Sequence, residues 1–308
     1  MSTLRSHARV IRVLWVIALG LTIAGAFTLM ERSPPREDLR GKVTGTTGFG
    51  VDVRVPGMVR AFTVASPVRG GSVRSVDDTA ARAMPGVKDV LVFDDFVAVI
   101  SDSWWKAKQA AAALVIDWDT GGNGDVDSAA ISATLRAALD DDKGAVKARK
   151  EGNARKALDS ADTVLEAFYE VPYVDHATME PMNCTVHLQA DRCDVWVGTQ
   201  GPTRVKRAAA AITGLKEDRI HVHTEYLGGG YGRRGNWDYA EQALRIATRV
   251  DGPVQMLWSR EETTRQGIYR PATVARLRAG IKDGELTGFQ ARIAGDNSGK
   301  TYLEGGFI

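Results

Sequence analysis

Ten residues, Leu227-Gly-Gly-Gly-Tyr-Gly-Arg-Arg-Gly-Asn236, separate two stretches of different periodicity. Before them, Ile220-His-Val-His-Thr-Glu-Tyr226 alternates apolar and polar residues and is rich in β-branched ones, the pattern of a strand. After them, Ala240, Ala243, Leu244, Ala247 and Val250 recur on one helical face. Asp238 stands at its start and Asp251-Gly252 at its stop. The segment therefore reads as strand, glycine-rich turn, helix. Gly228, Gly229, Gly230 and Gly232 carry no Cβ, so they admit positive φ and let N–H groups press against a ligand. N–H groups near a helix start favour anions. Arg233 and Arg234 add fixed charge that suits phosphate. Two readings stay open at this point: a site for a phosphate-bearing cofactor, and a tight turn with basic surface residues.

Within the loop, Gly230-Tyr-Gly232-Arg-Arg-Gly235 matches GxGxxG literally. A dinucleotide fold wants an acid at the end of the next strand to hold a ribose. Val254-Gln-Met-Leu-Trp258 would be that strand, with Glu261 just beyond it. A nucleotide-binding dehydrogenase is therefore one alternative. No GxxxxGK[ST] occurs, which removes the P-loop reading.

A net charge of only +2, with no interleaving of basic and aromatic residues, gives no reason to expect nucleic acid. Cys184 and Cys193 are the only cysteines, too few to hold a four-cysteine zinc site or an iron–sulfur cluster unaided. They flank a turn at Ala190-Asp-Arg192 and read as two buried free thiols rather than a bridge. His221 and His223 share one strand face, but neither they nor His176 and His187 have a third ligand at metal spacing, so no metal ligands are assigned. Glu180 and Asp175 do not form a convincing acid/base pair, and no nucleophile motif occurs.

The fold class is α/β (α+β), with two domains. Residues 41–120 read as a small α/β domain. Phe49 to Val55 and Met58 to Ala65 are expected strands, Asp78 to Met84 a short helix, and Ser103 the cap of another helix. Residues 121–159, which begin with Gly121-Gly-Asn-Gly124 and contain Asp140-Asp-Asp142, read as a linker. Residues 160–308 form the second domain, with strands at Val164 to Tyr169 and Val195 to Thr199 and a helix from Pro202 to Thr213. Ala275 to Ile281 and Leu286 to Ala294 make a hairpin around an Asp-Gly turn. Ahead of both, residues 1–40 read as a signal anchor and linker. Val13 to Met30 lacks charge and follows Arg5, Arg9 and Arg12, the pattern of a transmembrane helix with its basic end inside, while Ala24-Gly-Ala26 keeps a cleaved signal peptide open as the alternative. That places the chain at the inner membrane with its globular part in the periplasm.

Five ordered blocks resemble the large subunit of the molybdenum hydroxylases, the xanthine dehydrogenase/aldehyde oxidase superfamily, and its isoquinoline 1-oxidoreductase β-subunit-like branch in particular. Gly228 to Arg234 resembles the family's GGGFGRR loop. Gly41 to Gly45 with Phe49 to Val53 and Pro56 to Met58 resembles the entry to its hammerhead domain, and Val97 to Lys108 the last helix of that domain. His176-Ala-Thr-Met-Glu-Pro-Met-Asn-Cys-Thr185 resembles HAPLEPQNCT. Trp258-Ser-Arg-Glu-Glu262 with Tyr269-Arg-Pro271 resembles WTRED…YRP. Gly235 and Val174 depart from xanthine-type members, which place a glutamate and a glutamine there.

The resemblance implies a hammerhead-like domain followed by part of a molybdopterin-binding domain. It implies an oxidoreductase that hydroxylates aldehydes or N-heterocycles with water as oxygen source. Gly228, Gly229, Gly230, Tyr231, Gly232, Arg233 and Gln200 would contact the molybdenum cofactor, and Arg270 would stand in the substrate pocket. The catalytic glutamate of the family falls outside this sequence, so no catalytic residue is assigned within it. Expected partners are an iron–sulfur subunit and a chain supplying the rest of the large subunit. An inactive membrane-anchored remnant is the remaining alternative.

Overall fold

The computed structural model describes residues 35–295. The chain divides after Thr47 into two units. In the first, helix α1 (Leu39–Thr44) ends at Gly45, whose φ of 73° turns its N–H onto the Gly41 carbonyl.

The second unit holds the strands. It opens with β1 (Val59–Ala65), β2 (Ser72–Asp77), α2 (Thr79–Arg82), β3 (Val87–Val92), β4 (Phe96–Ser101), α3 (Trp104–Ala111) and β5 (Val115–Asp119). Next come α4 (Ser128–Ala138), α5 (Ala154–Asp159), β6 (Thr163–Val171), β7 (Asn183–Leu188), β8 (Cys193–Val197), α6 (Pro202–Thr213) and β9 (Ile220–Thr224). The unit continues through α7 (Asp238–Ala247), β10 (Val254–Leu257) and α8 (Arg260–Gln266) to the hairpin β11 (Thr273–Lys282) and β12 (Glu285–Gly295).

One seven-stranded sheet runs β3-β4-β1-β10-β7-β8-β9. β1 lies parallel to β10, Val59 opposite Val254, and β8 lies parallel to β9. This corrects the expected division at residues 41–120 and 160–308, because strands from both stretches share one sheet. The reason is burial. Ala61, Phe96, Ala98 and Ile100 pack into the same core as Val186, Val195 and Met256, under Tyr239, Ala243, Leu244 and Ile246 of α7. On the opposite side of β1, β3 and β4, Phe62, Val90, Val97 and Val99 meet Ala107, Ala110 and Ala111 of α3. Every residue of β4 is buried, as expected for a strand covered on both faces.

The expected linker 121–159 contains α4 and α5. Asp127 and Asn153 cap them by accepting the Ala130 and Lys156 N–H groups at 2.7 and 3.1 Å. Both helices pack on a second sheet of order β12-β11-β6. Residues opposite one another in this sheet point to the same side. Phe168, Arg276 and Arg292 share the helix-covered side, where Arg276 and Arg292 pair with Asp140 and Asp142. The other side is uncharged. The β11–β12 turn has Asp283 and Gly284 at φ 51° and 81°, the geometry the Asp-Gly pair predicts.

Two further expectations are corrected. Phe49 to Val55 is not a strand. Gly50–Asp52 is a 3-10 turn, closed where Asp52 Oδ2 accepts the Phe49 N–H at 3.0 Å. The membrane-anchored, periplasm-facing location is also overturned. Among the described residues no helix is long and apolar enough to cross a membrane, and Val13 to Met30, on which that reading stood, lies outside the described residues.

Candidate functional site

Because β8 and β9 are parallel neighbours, their C-terminal ends open at the same edge of the sheet. In open α/β sheets that is where ligands are bound. Gly198 to Gln200 leave β8 there, and the glycine loop leaves β9 there. The helices that follow, α6 and α7, begin at Pro202 and Asp238.

The loop is tied down from beneath by a buried charge network. Arg234 is 0% exposed. Its Nε donates to the Gly229 carbonyl at 2.9 Å, its Nη1 to Gly198 O at 3.2 Å, and its Nη2 to Glu180 Oε2 at 2.8 Å and to Glu180 O at 2.9 Å. Glu180 completes the frame. Its Oε2 also accepts the Gly228 N–H at 3.0 Å, and its Oε1 accepts from Val51 N at 3.1 Å and Asn183 Nδ2 at 2.9 Å. A buried carboxylate needs this many donors to offset its lost hydration. Arg233 is 1% exposed and turned inward, both its Nη groups on Asp238 at 2.8 Å. Its guanidinium lies 5.7 Å from the Trp258 ring centre. The two arginine charges are thus spent inside the protein, and the free phosphate-facing charge expected of them is not what the loop offers.

The loop offers backbone instead. Among the described residues, the N–H groups of Gly229, Gly230 and Tyr231 have no hydrogen-bond acceptor. Gly229, Tyr231 and Gly232 sit at φ 104°, 52° and 93°, the left-handed region that favours glycine. Gly228 and Gly230 are not at positive φ; glycine is required for space at Gly228, while at Gly230 a Cβ would press on the movable Gln200 amide. A Cβ on Gly228 would fall 2.2 Å from Glu180 Cβ, and one on Gly230 2.9 Å from Gln200 Oε1. Gln200 lies beside the loop, its Oε1 accepting the Gly232 N–H at 3.2 Å. The Tyr231 ring is exposed, and among the described residues the buried Asn236 Nδ2 has no hydrogen-bond partner.

Arg270 stands apart from this group. It is exposed, bonded through its backbone to Val174 at 2.9 Å, and among the described residues forms no ion pair. Glu261 pairs with Lys108 and Glu262 with Arg265 instead. Arg270 acts electrostatically on His176. Burial, then the Arg270 and Arg233 charges, hold that imidazole below its ordinary range. Among the described residues, His176 Nδ1 and the neighbouring Asp175 Oδ1 are buried without hydrogen-bond partners.

On the outer strand, His223 stacks on Trp196 and meets Asp194 Oδ1 at 2.8 Å, a surface pairing. Among the described residues no group of His, Cys, Asp or Glu could hold a metal ion. Cys184 and Cys193 are free and buried, and burial pushes the Cys193 thiol up to about 12. The GxGxxG alternative fails on topology. β10 lies three places from β9, whereas a dinucleotide fold sets the strand after the loop's helix beside the first.

The sequence pattern of the molybdopterin cofactor-binding domain matches residues 139–305. The chain belongs to that family. It is 31% identical to the isoquinoline 1-oxidoreductase subunit beta of Brevundimonas diminuta, over 91% of this chain and 37% of that one. It is 24% identical to the nicotinate dehydrogenase large molybdopterin subunit of Eubacterium barkeri, over 88% of this chain and 71% of that one. The solved structure of quinoline 2-oxidoreductase from Pseudomonas putida 86 shares the fold with a TM-score of 0.64 at 17% identity, over 85% of this chain and 38% of that one. The chain thus spans little more than a third of the Brevundimonas relative.

The sequence singled out the glycine loop and missed its brace, Glu180. The available signal was a glutamate inside the His176–Thr185 block, in a segment too poor in periodicity for a strand or helix.

Proposed function

We propose that this chain is a molybdopterin-binding part of an oxidoreductase that hydroxylates aldehydes or N-heterocycles with water as oxygen source. The observation that carries the reading is the row of unpaired N–H groups at Gly229, Gly230 and Tyr231, on a loop whose position a buried Glu180–Arg234 pair fixes. A cradle of fixed donors suits an electron-rich oxygen or sulfur acceptor on the cofactor, and neutral donors hold it without a competing salt bridge. When bound, molybdopterin supplies the redox step, and the protein contributes position and electrostatics.

Gly228 and Gly230 let the loop close on Glu180 and Gln200. Tyr231 presents its ring at the rim, and Gln200 holds the outer side of the loop through Gly232. Arg233 and Arg234 position the loop from below. Arg270 contributes a positive field at the His176 side, where a polar substrate group would be oriented. No catalytic base is assigned in this chain, and the reading places one, together with iron–sulfur clusters, on partner polypeptide. The nicotinate dehydrogenase large molybdopterin subunit, of which this chain covers 71%, gives a short relative for such a divided arrangement.

Metal and pterin analysis of the purified complex tests the proposal. Molybdenum and a fluorescent pterin in stoichiometric amount are expected. Nicotinamide or flavin dinucleotide in the absence of molybdenum would overturn it.

A further inference from the structure

Tyr231 sits where the backbone favours a glycine. The Arg233 N–H donates to the Gly230 carbonyl at 2.8 Å and closes a four-residue turn. Its central residues, Tyr231 and Gly232, have φ 52° and 93°. Two positive values mark a type I′ turn, whose first central position is normally Asn, Asp or Gly. A bulky side chain there crowds its own backbone, and the penalty persists only where something offsets it. The folded chain supplies no offset. Tyr231 is 65% exposed, and among the described residues its side chain makes no hydrogen bond and meets no second ring or cation. The braces of the loop do not account for it either. Gln200 holds the Gly232 N–H and Arg234 the Gly229 carbonyl, so both act on backbone and would hold a glycine at 231 equally well.

The place of the ring indicates what offsets the penalty. Its Cε2 lies 3.2 Å from the point that a Gly229 Cβ would occupy, and Thr178 Cβ lies 3.4 Å from the same point. One edge of the ring therefore rests on Gly229, beside the row of unpaired N–H groups, and most of its surface is open. An open aromatic face takes a flat partner in offset stacking, which an aliphatic side chain of similar bulk cannot match. We propose that Tyr231 is a specificity-determining residue, its open ring face being the wall against which a planar, uncharged ring of the substrate lies, next to the N–H groups of Gly229 to Tyr231. Naming the partner a substrate rests on the function proposed above. The backbone penalty at Tyr231 does not.

The test compares Tyr231→Leu, Tyr231→Phe and Tyr231→Gly. Isoquinoline is the probe, and its equilibrium binding to the purified complex is measured by calorimetry, without turnover. Tyr231→Leu keeps the apolar bulk and the backbone penalty but has no flat face, so binding is expected to weaken at least tenfold. Tyr231→Phe keeps the face, and binding is expected to stay within twofold of the unsubstituted complex. Tyr231→Gly removes the penalty together with the ring. It is expected to raise the thermal midpoint of the full chain by about 2 °C and to weaken isoquinoline binding as Tyr231→Leu does. Full binding by Tyr231→Leu, lost binding in Tyr231→Phe, no binding by the unsubstituted complex, or no rise in midpoint for Tyr231→Gly would overturn the inference. Molybdenum content is read on the same samples. Ring-dependent binding to a complex without molybdenum would defeat the functional reading and leave the stacking wall in place.

Discussion

Strands β4 and β6 are both rich in apolar side chains, and they meet opposite fates. All six residues of β4 are buried, between α3 on one side and α7 on the other. Of the nine in β6, none is fully buried. β4 belongs to a sheet that this chain completes, β6 to one that it covers on a single side. Strand propensity makes both strands, because β-branched and aromatic residues suit a pleated surface whether or not a second layer arrives. Burial needs a partner layer, and for β6 the described residues supply only one. The glycine loop lies with the completed half. Its charges are satisfied internally and its free groups are backbone donors, so it is a braced loop beside a sheet with one bare side.

The sharpest way to break that contrast is to remove the brace. Arg234→Met leaves Glu180 buried beside apolar atoms and should cost about 3–5 kcal/mol by chemical denaturation. Arg149→Ala, in the exposed pair with Glu151, should cost less than ~1 kcal/mol. Equal losses would mean that the buried pair is not the anchor described. The next contrast is between the sheets. Ile100→Ala should lower stability by about 2–5 kcal/mol, because the methyl groups lost leave a cavity in packed surroundings. Phe289→Ala, on the bare face, should stay within ~0.5 kcal/mol in the chain alone. A large loss there would show that something already covers the face.

A smaller effect is expected in the loop itself. Gly232→Ala meets no neighbour within 4 Å, so only its φ of 93° is strained, and about 1–2 kcal/mol should be lost. The smallest concerns pH. His176 has its pKa lowered below 6.5 by burial and by Arg270 and Arg233, so the folded chain binds fewer protons there than the unfolded chain. Its contribution is fully present above that ordinary value and is lost as pH falls through the depressed one. His176→Asn should flatten this part of the stability profile between about pH 7 and pH 5, measured as denaturation midpoints. An unchanged slope would show that His176 does not titrate as its surroundings imply.

Much of this was legible in the sequence, and the omissions share a cause. The α6 helix, the hairpin β11–β12 and the order of strand, glycine loop and helix follow from periodicity, capping and turn chemistry, all local properties. The five family-like blocks pointed to molybdopterin. The seven-stranded sheet was missed because β1 and β10 are parallel and nearly two hundred residues apart, as Val59 opposite Val254 shows. Local pattern carries no record of such a pairing. The same holds for Arg233 and Arg234. Two adjacent arginines beside glycines look like exposed anion ligands until Asp238 and Glu180 are seen to take them up. Gly50 was read as part of a strand, Phe49 to Val55. It sits in a turn, and a Cβ there would fall 2.5 Å from Asn183 Oδ1, a donor partner's residue in the Glu180 frame.

The central claim is that the loop at Gly229–Tyr231 holds molybdopterin by close backbone approach. Molybdenum content per chain in the assembled complex tests it most directly, with Gly230→Ala set against Gly284→Ala. Gly284 has a φ of 81° in the β11–β12 turn and open space around it, so it carries backbone strain without a ligand. The account predicts that Gly230→Ala loses molybdenum while the fold is retained, and that Gly284→Ala keeps it. A Gly230→Ala complex with full molybdenum content would contradict the account and return the loop to a tight turn between β9 and α7.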